Sequence, residues 1–153
     1  MKRLIALLLC AVLLCCVSAS LAQTVACPTG GFSLTLPDSF SMQSYSASED
    51  PDLCFYWKGK NMTVQGYASY LGEVAGSDLF QVLTGNETYV DLITRNGMNM
   101  LCAIGSDASG AYTMYSWMDR GNNVTLYFCY PAGSDFSGTI DKIMSSIVFD
   151  AGH

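Results

Sequence analysis

Histidine, cysteine, carboxylate and aromatic side chains set what this chain could do chemically. The only histidine among the 153 residues is His153, at the end of the sequence. A Ser-His-Asp or Cys-His site would have to use it, and terminal residues are usually poorly ordered, so nucleophilic catalysis is not expected. No G-x-S-x-G, P-loop, H-E-x-x-H or EF-hand pattern occurs. Cys27, Cys54, Cys102 and Cys129 contain no C-x-x-C pair and lack a histidine to join them. No metal centre and no cofactor are therefore expected.

Carboxylates alone could still support a small hydrolase, since a glycosidase needs two acids about 5–10 Å apart. Asp91 falls mid-strand in the register below, opposite Cys102, where burial would raise its pKa. Glu49, Asp50 and Asp52 could gather round calcium, but the glycine and closing glutamate of a calcium loop are missing.

The aromatic residues, 9 Tyr and 2 Trp among them, are more suggestive of binding. Tyr56 and Tyr67 share one face of a hairpin. Tyr115 and Trp117 alternate within one strand, and Tyr127 lies in the next. On a common side, Tyr56, Tyr67, Tyr115, Trp117 and Tyr127 would form a patch suited to protein or sugar recognition. The alternative is that they pack beneath helices.

These residues belong to an exported chain by its leader. Met1-Lys2-Arg3, an apolar run from Leu4 to Val17 and the small-residue tail Ser18-Ala19-Ser20-Leu21-Ala22 are laid out as a secretory signal peptide. The run is shorter than the ~20 apolar residues of a membrane anchor. Residues 1–22 read as the signal, cut after Ala22, and residues 23–153 as a single α+β domain. No small residue precedes Cys10, Cys15 or Cys16, so a released protein is expected, secreted or extracytoplasmic. Losing Lys2 and Arg3 leaves Lys58, Lys60, Arg95, Arg120 and Lys142 against 13 acidic residues. That balance argues against nucleic-acid and membrane-surface binding.

After export, four cysteines imply two disulfides. The 102–129 pairing is disfavoured, because in a meander the two strands lie two spacings apart, ~9–10 Å, beyond the ~7 Å a disulfide spans between Cα atoms. Cys54–Cys102 with Cys27–Cys129, or Cys27–Cys102 with Cys54–Cys129, remain. Asn61, Asn86 and Asn123 begin N-x-[ST] sequons, which matter only in a host that glycosylates exported asparagine.

The elements follow from periodicity. Gln23–Gly31 reads as a lead-in. Phe32, Leu34 and Leu36 alternate with Ser33 and Thr35 in a strand stopped by Pro37. Cys54–Trp57 and Met62–Leu71 flank Gly59-Lys60 as a hairpin, with Trp57 opposite Met62 and Phe55 opposite Val64. A helix is expected from Ser77, with Leu79, Val82 and Leu83 on one side. Thr88–Arg95 and Met98–Ile104 form a hairpin around Asn96-Gly97. Val90, Leu92, Leu101 and Ala103 share one face; Tyr89, Ile93, Met98, Met100, Cys102 and Ile104 share the other. Both faces need cover. Ala111–Met118 and Asn123–Tyr130 join at Asp119–Asn122. A second helix spans about Ser134 to Ser146, with Phe136, Ile140, Ile143 and Ile147 on its apolar side, and Ile147-Val148-Phe149 closes as a short strand. The expected fold is α+β: a mostly antiparallel sheet of about seven strands with two amphipathic helices packed on it.

Gly31-Phe32-Ser33-Leu34-Thr35-Leu36-Pro37 and Ile140-Asp141-Lys142-Ile143-Met144-Ser145-Ser146-Ile147-Val148-Phe149 resemble the first strand and last helix of PsbP-like domains. The strand, hairpin, helix, meander, helix order between them is similar too. The resemblance implies an antiparallel sheet flanked by helices and an accessory or binding role, with no catalytic residues to carry over. The four cysteines lie outside that pattern. The expected function is a non-enzymatic exported domain that recognises a protein or envelope partner. The alternatives are a carbohydrate-binding module using the Tyr/Trp face, and a small hydrolase using carboxylates.

Overall fold

Asn-Gly and Arg-Gly turns with positive φ fold the central meander. Asn96 and Gly97 (φ 52° and 82°) and Arg120 and Gly121 (φ 47° and 78°) each close a two-residue hairpin. Their twist matches that of the flanking strands, which selects glycine and asparagine there. The computed structural model describes residues 22–71 and 82–150. In chain order the elements are β1 (Gln23–Cys27), β2 (Phe32–Leu36), β3 (Ser41–Met42), β4 (Leu53–Lys58), β5 (Thr63–Tyr70), β6 (Glu87–Arg95), β7 (Met98–Asp107), β8 (Gly110–Asp119), β9 (Asn122–Tyr130), α1 (Ser137–Ser145) and β10 (Val148–Phe149).

These strands form two antiparallel sheets. The larger has seven strands in the order β3-β4-β5-β9-β8-β7-β6, and the smaller three in the order β1-β2-β10. This corrects the expectation of one sheet of about seven strands covered by two amphipathic helices. Among the described residues there is one short helix, α1. The expected helix from Ser77 falls on residues 72–81, outside the described residues; Val82 and Leu83, at its end, are described. The cover assigned to a helix comes instead from a second sheet. Gln23–Cys27, read as a lead-in, pairs along the whole of β2, and Val148–Phe149 pairs on its other side. Burial alternates along β1, with Val25 and Cys27 buried and Thr24 and Ala26 exposed, but the apolar pattern is short. Too few apolar residues mark it as a strand without its partner.

One core joins the two sheets. Phe32, Leu34 and Leu36 of β2 meet Val64, Trp117, Val124, Leu126 and Phe128 of the large sheet, and Ile140, Ile143 and Met144 of α1 close its side. The Phe32 ring stands edge-on to Trp117 at 5.2 Å and to Phe55 at 6.2 Å. Such pairs add about 0.5–1.5 kcal/mol beyond the area they bury. Helix α1 is pinned at both ends of its buried face. Asn96 Nδ2 donates to the Met144 and Ile147 carbonyls, Arg95 pairs with Asp141 at 2.9 Å, and Ser146 Oγ accepts the Thr35 N–H at 2.8 Å.

The register of the β6–β7 hairpin is the expected one, with Asp91 opposite Cys102. That of β4–β5 is not. Lys58 pairs with Thr63, Trp57 with Val64 and Phe55 with Gly66, so the connection is Gly59–Met62 rather than Gly59-Lys60. Gly59 does not take the positive φ of a tight hairpin turn, and Met62 leaves the ladder to bury itself in the core. The slip is by two residues, so every side chain keeps its face. Among the described residues no helix is long and apolar enough to cross a membrane.

Candidate functional site

Alternation along β4, β5, β8 and β9 sends the five aromatic candidates to opposite sides of the large sheet. Tyr115 and Trp117 point into the core between the sheets, where Trp117 is completely buried and Tyr115 lies against Cys102 and Phe128. Arg95 stands over the Tyr115 ring at 5.9 Å. Burial pushes the Tyr115 phenol well above its ordinary value. The expectation of one Tyr/Trp patch is thus corrected: these two rings are core. The buried Trp117 Nε1 has no acceptor among the described residues.

Tyr56, Tyr67 and Tyr127 share the outer face and are half-buried. Tyr56 sits opposite Gln65, and Gln65 opposite Tyr127. The Tyr67 and Tyr127 rings meet edge-on at 6.2 Å, and Tyr67 Oη donates to Gln65 Oε1 at 3.4 Å. Tyr112, not singled out from the sequence, extends the row, its ring 5.8 Å from Tyr127. Its period-two spacing from Met114 and Ser116 was the available signal. Burial holds Tyr127 protonated, pushed up to about 12, and raises Tyr67 as well. These phenols act as neutral donors at physiological pH.

Tyr112 is anchored from below. Its hydroxyl donates to Glu87 Oε1 at 2.8 Å and lies 3.1 Å from Thr84 Oγ1. Partial burial raises the Glu87 pKa, but hydrogen bonds from the Thr84 N–H, the Tyr112 hydroxyl and the Thr84 hydroxyl outweigh it and bring it down to about 2. Val82 and Leu83 pack on Leu101, Ala103, Tyr112 and Met114, covering the β7–β8 side of this face. The tyrosines of β4, β5 and β9 form its more open side.

At the end of the row lies a cleft of about 500 Å³ between the β4–β5 and β7–β8 connections, lined by Lys58, Lys60, Asn61, Asp107, Tyr112 and Cys129 among others. Asp107 is committed to its own turn, where it accepts from the Ser109 hydroxyl and from the Ser109 and Gly110 N–H groups. Those bonds, the Ser109 hydroxyl foremost, hold its carboxyl below the usual range. Lys58 and Lys60 form no ion pair among the described residues. Burial raises the Cys129 thiol, so it is a neutral wall of the cleft.

The other candidates are dispersed. Asp91 is exposed on the edge strand β6, where it accepts from the Tyr89 hydroxyl. Asp52 accepts from Ser69 at 2.7 Å, and no three His, Cys, Asp or Glu side chains converge on a metal position among the described residues. Asn123, a sequon asparagine, is buried and accepts from Ser116 at 2.8 Å. The four cysteines among the described residues are free thiols. Cys27, Cys54 and Cys102 belong to the inner core or pack against it, whereas Cys129 belongs to the outer face. The sheet therefore separates Cys129 from Cys27, and neither pairing scheme drawn from the sequence matches this placement. Cys102 and Cys129 likewise lie on opposite faces of the sheet.

No protein-family model matches the chain, and no curated protein matches it in sequence. Solved structures do. Cyanobacterial PsbP (CyanoP) from Synechocystis sp. PCC 6803 superposes with a TM-score of 0.66 at 9% identity, over 88% of this chain and 95% of that one. A protein of Bacteroides thetaiotaomicron VPI-5482 superposes with a TM-score of 0.57 at 11% identity, over 85% of this chain and 49% of that one, so the chain spans about half its length. The twisted seven-stranded sheet, the terminal helix and the strands that close over them make this a chain of PsbP-like fold.

Proposed function

We propose that this chain is an exported, non-enzymatic accessory domain that binds a protein partner of the cell envelope through the outer face of its large sheet. The observation that carries the reading is the partly exposed row Tyr56, Tyr67 and Tyr127, running into a cleft that presents Lys58 and Lys60. Tyrosines on a rigid sheet offer large contact area at low entropic cost, and their neutral hydroxyls supply donors.

The carboxylates support the non-enzymatic reading. Glu87, Asp107 and Asp135 are held low by hydrogen bonds that outweigh desolvation, whereas a general acid needs a raised pKa. Asp119 and Asp141 pair with Arg120 and Arg95. Likeness to a PsbP protein agrees with an accessory role, and the leader Met1–Ala22 supports export. The carbohydrate reading keeps three tyrosines but loses its tryptophan to the core.

The test is binding of wild type and a Tyr56→Ala, Tyr67→Ala variant to envelope extract, with and without prior proteolysis of the extract, beside a glycan array. Protease-sensitive binding that the variant loses supports the reading. Binding to glycans by wild type, or equal binding by the variant, would sink it.

A further inference from the structure

Two of the four described cysteines lie near each other at the seam where the small sheet docks on the large one. Cys27 ends β1 and is fully buried; Cys54 lies in β4 and is partly open. Cys54 packs against the core cluster that holds Cys27, and the two thiols are near enough to influence each other's ionisation. The β1–β2 turn cradles both sulfurs, with the Gly30 N–H directed at Cys27 and the Thr29 hydroxyl at Cys54. A Cβ added at Gly30 would stand 2.9 Å from Cys27 Sγ, so glycine leaves the sulfur its room. Cys54 Sγ also lies 3.7 Å from the Asp52 carbonyl. Among the described residues Cys102 and Cys129 have no cysteine beside them. Cys102 contacts Tyr115, and Cys129 contacts Thr63 on the far side of the sheet.

We propose that Cys27 and Cys54 are a disulfide-forming pair that locks the small sheet to the large one, and that Cys102 and Cys129 stay reduced. The chain then carries one disulfide and two thiols rather than the two bridges its cysteine count suggests. The order of attack follows from exposure. Cys54, the accessible member, attacks a sulfur of an external disulfide as its thiolate and releases one thiol. Cys27 then gives up its proton, attacks Cys54 Sγ and releases the second thiol. Two protein thiols are oxidised, and one external disulfide is reduced to two thiols. Their mutual influence suits these roles, since it lowers the Cys54 pKa and, with burial, raises that of Cys27.

The bond would enclose β2 and β3, a loop long enough for a cross-link to restrict the unfolded chain appreciably. The experiment takes the full chain, exported to an oxidising compartment, denatured and alkylated without reductant. The expected result is alkylation at Cys102 and Cys129 alone, with a Cys27–Cys54 linked peptide. The purified reduced protein should give the same product with glutathione disulfide, and a Cys102→Ser, Cys129→Ser variant should still lose two hydrogens on oxidation. Oxidised wild type should melt about 5–15 °C above its reduced form. Four alkylated cysteines, a bridge that includes Cys102 or Cys129, or equal melting of both forms would overturn the proposal.

Discussion

The two faces of the seven-stranded sheet are made by the same strands, residue by alternating residue, and they have opposite fates. On the inner face Val64, Trp117, Val124, Leu126 and Phe128 are sealed beneath β2 and α1 with no exposed area. On the outer face Tyr56, Tyr67 and Tyr127 keep their edges in solvent, while Leu92 at the β6 edge is 62% exposed. Composition explains the difference. The inner positions are aliphatic or aromatic and can be dried without loss, whereas the outer row carries hydroxyls that must find partners or water. Among the described residues the inner face is sealed in the core, and the outer tyrosines are only partly covered.

The sharpest way to break the comparison is to charge the inner face. Ile143→Asp, on the buried stripe of α1, should unfold the domain, because an unpaired carboxylate there consumes most of a stability of about 5–15 kcal/mol. A circular dichroism melt within a few degrees of wild type would mean that α1 does not seal the core. Trp117→Ala should cost about 3–5 kcal/mol. Trp117→Phe should cost much less, since the indole N–H it removes has no acceptor among the described residues. Equal losses in denaturant titrations would assign that N–H a partner.

At one end of the outer face Glu87 anchors Tyr112. Its folded pKa of about 2 lies below its ordinary 4.5. Its contribution is complete above pH 4.5 and disappears as pH falls through 4.5 towards 2. The melting temperature of wild type should decline over that interval, and Glu87→Gln should flatten the decline. An unchanged acid limb in the variant would remove Glu87 from the account. The smallest effect on stability belongs to the open tyrosines. Tyr56→Ala with Tyr67→Ala should cost about 1 kcal/mol per residue or less and leave the far-ultraviolet spectrum unchanged, while abolishing partner binding.

Much of this contrast was legible in the sequence, and its limits have physical causes. Strict alternation placed Leu101 and Ala103 on one face and Met100 and Cys102 on the other, and the Asn96-Gly97 turn fixed their register. The β4–β5 slip of two residues escaped because Met62 is drawn into the core instead of the ladder, yet it left Tyr56 and Tyr67 together. What periodicity does not carry is which strand lies beside which face. Alternation within β8 and within β9 leaves open whether Tyr115 and Trp117 share a side with Tyr127. The observed pairing of Tyr115 with Leu126 and Met114 with Tyr127 puts Tyr127 across from Tyr115's face. The small sheet was hidden for another reason: β1 and β10 are short, and only their pairing with β2 makes them strands.

Hydroxyl-radical footprinting of the protein tests most directly whether the outer tyrosines are the contact face. Modification of Tyr56, Tyr67 and Tyr127 is compared with and without envelope extract, using the exposed Tyr45, Tyr70 and Tyr89 as internal references. Protection confined to the outer row, and lost when the extract is first proteolysed, is the expected result. Protection of the reference tyrosines with Tyr56 and Tyr67 unchanged would place the contact elsewhere and contradict the account.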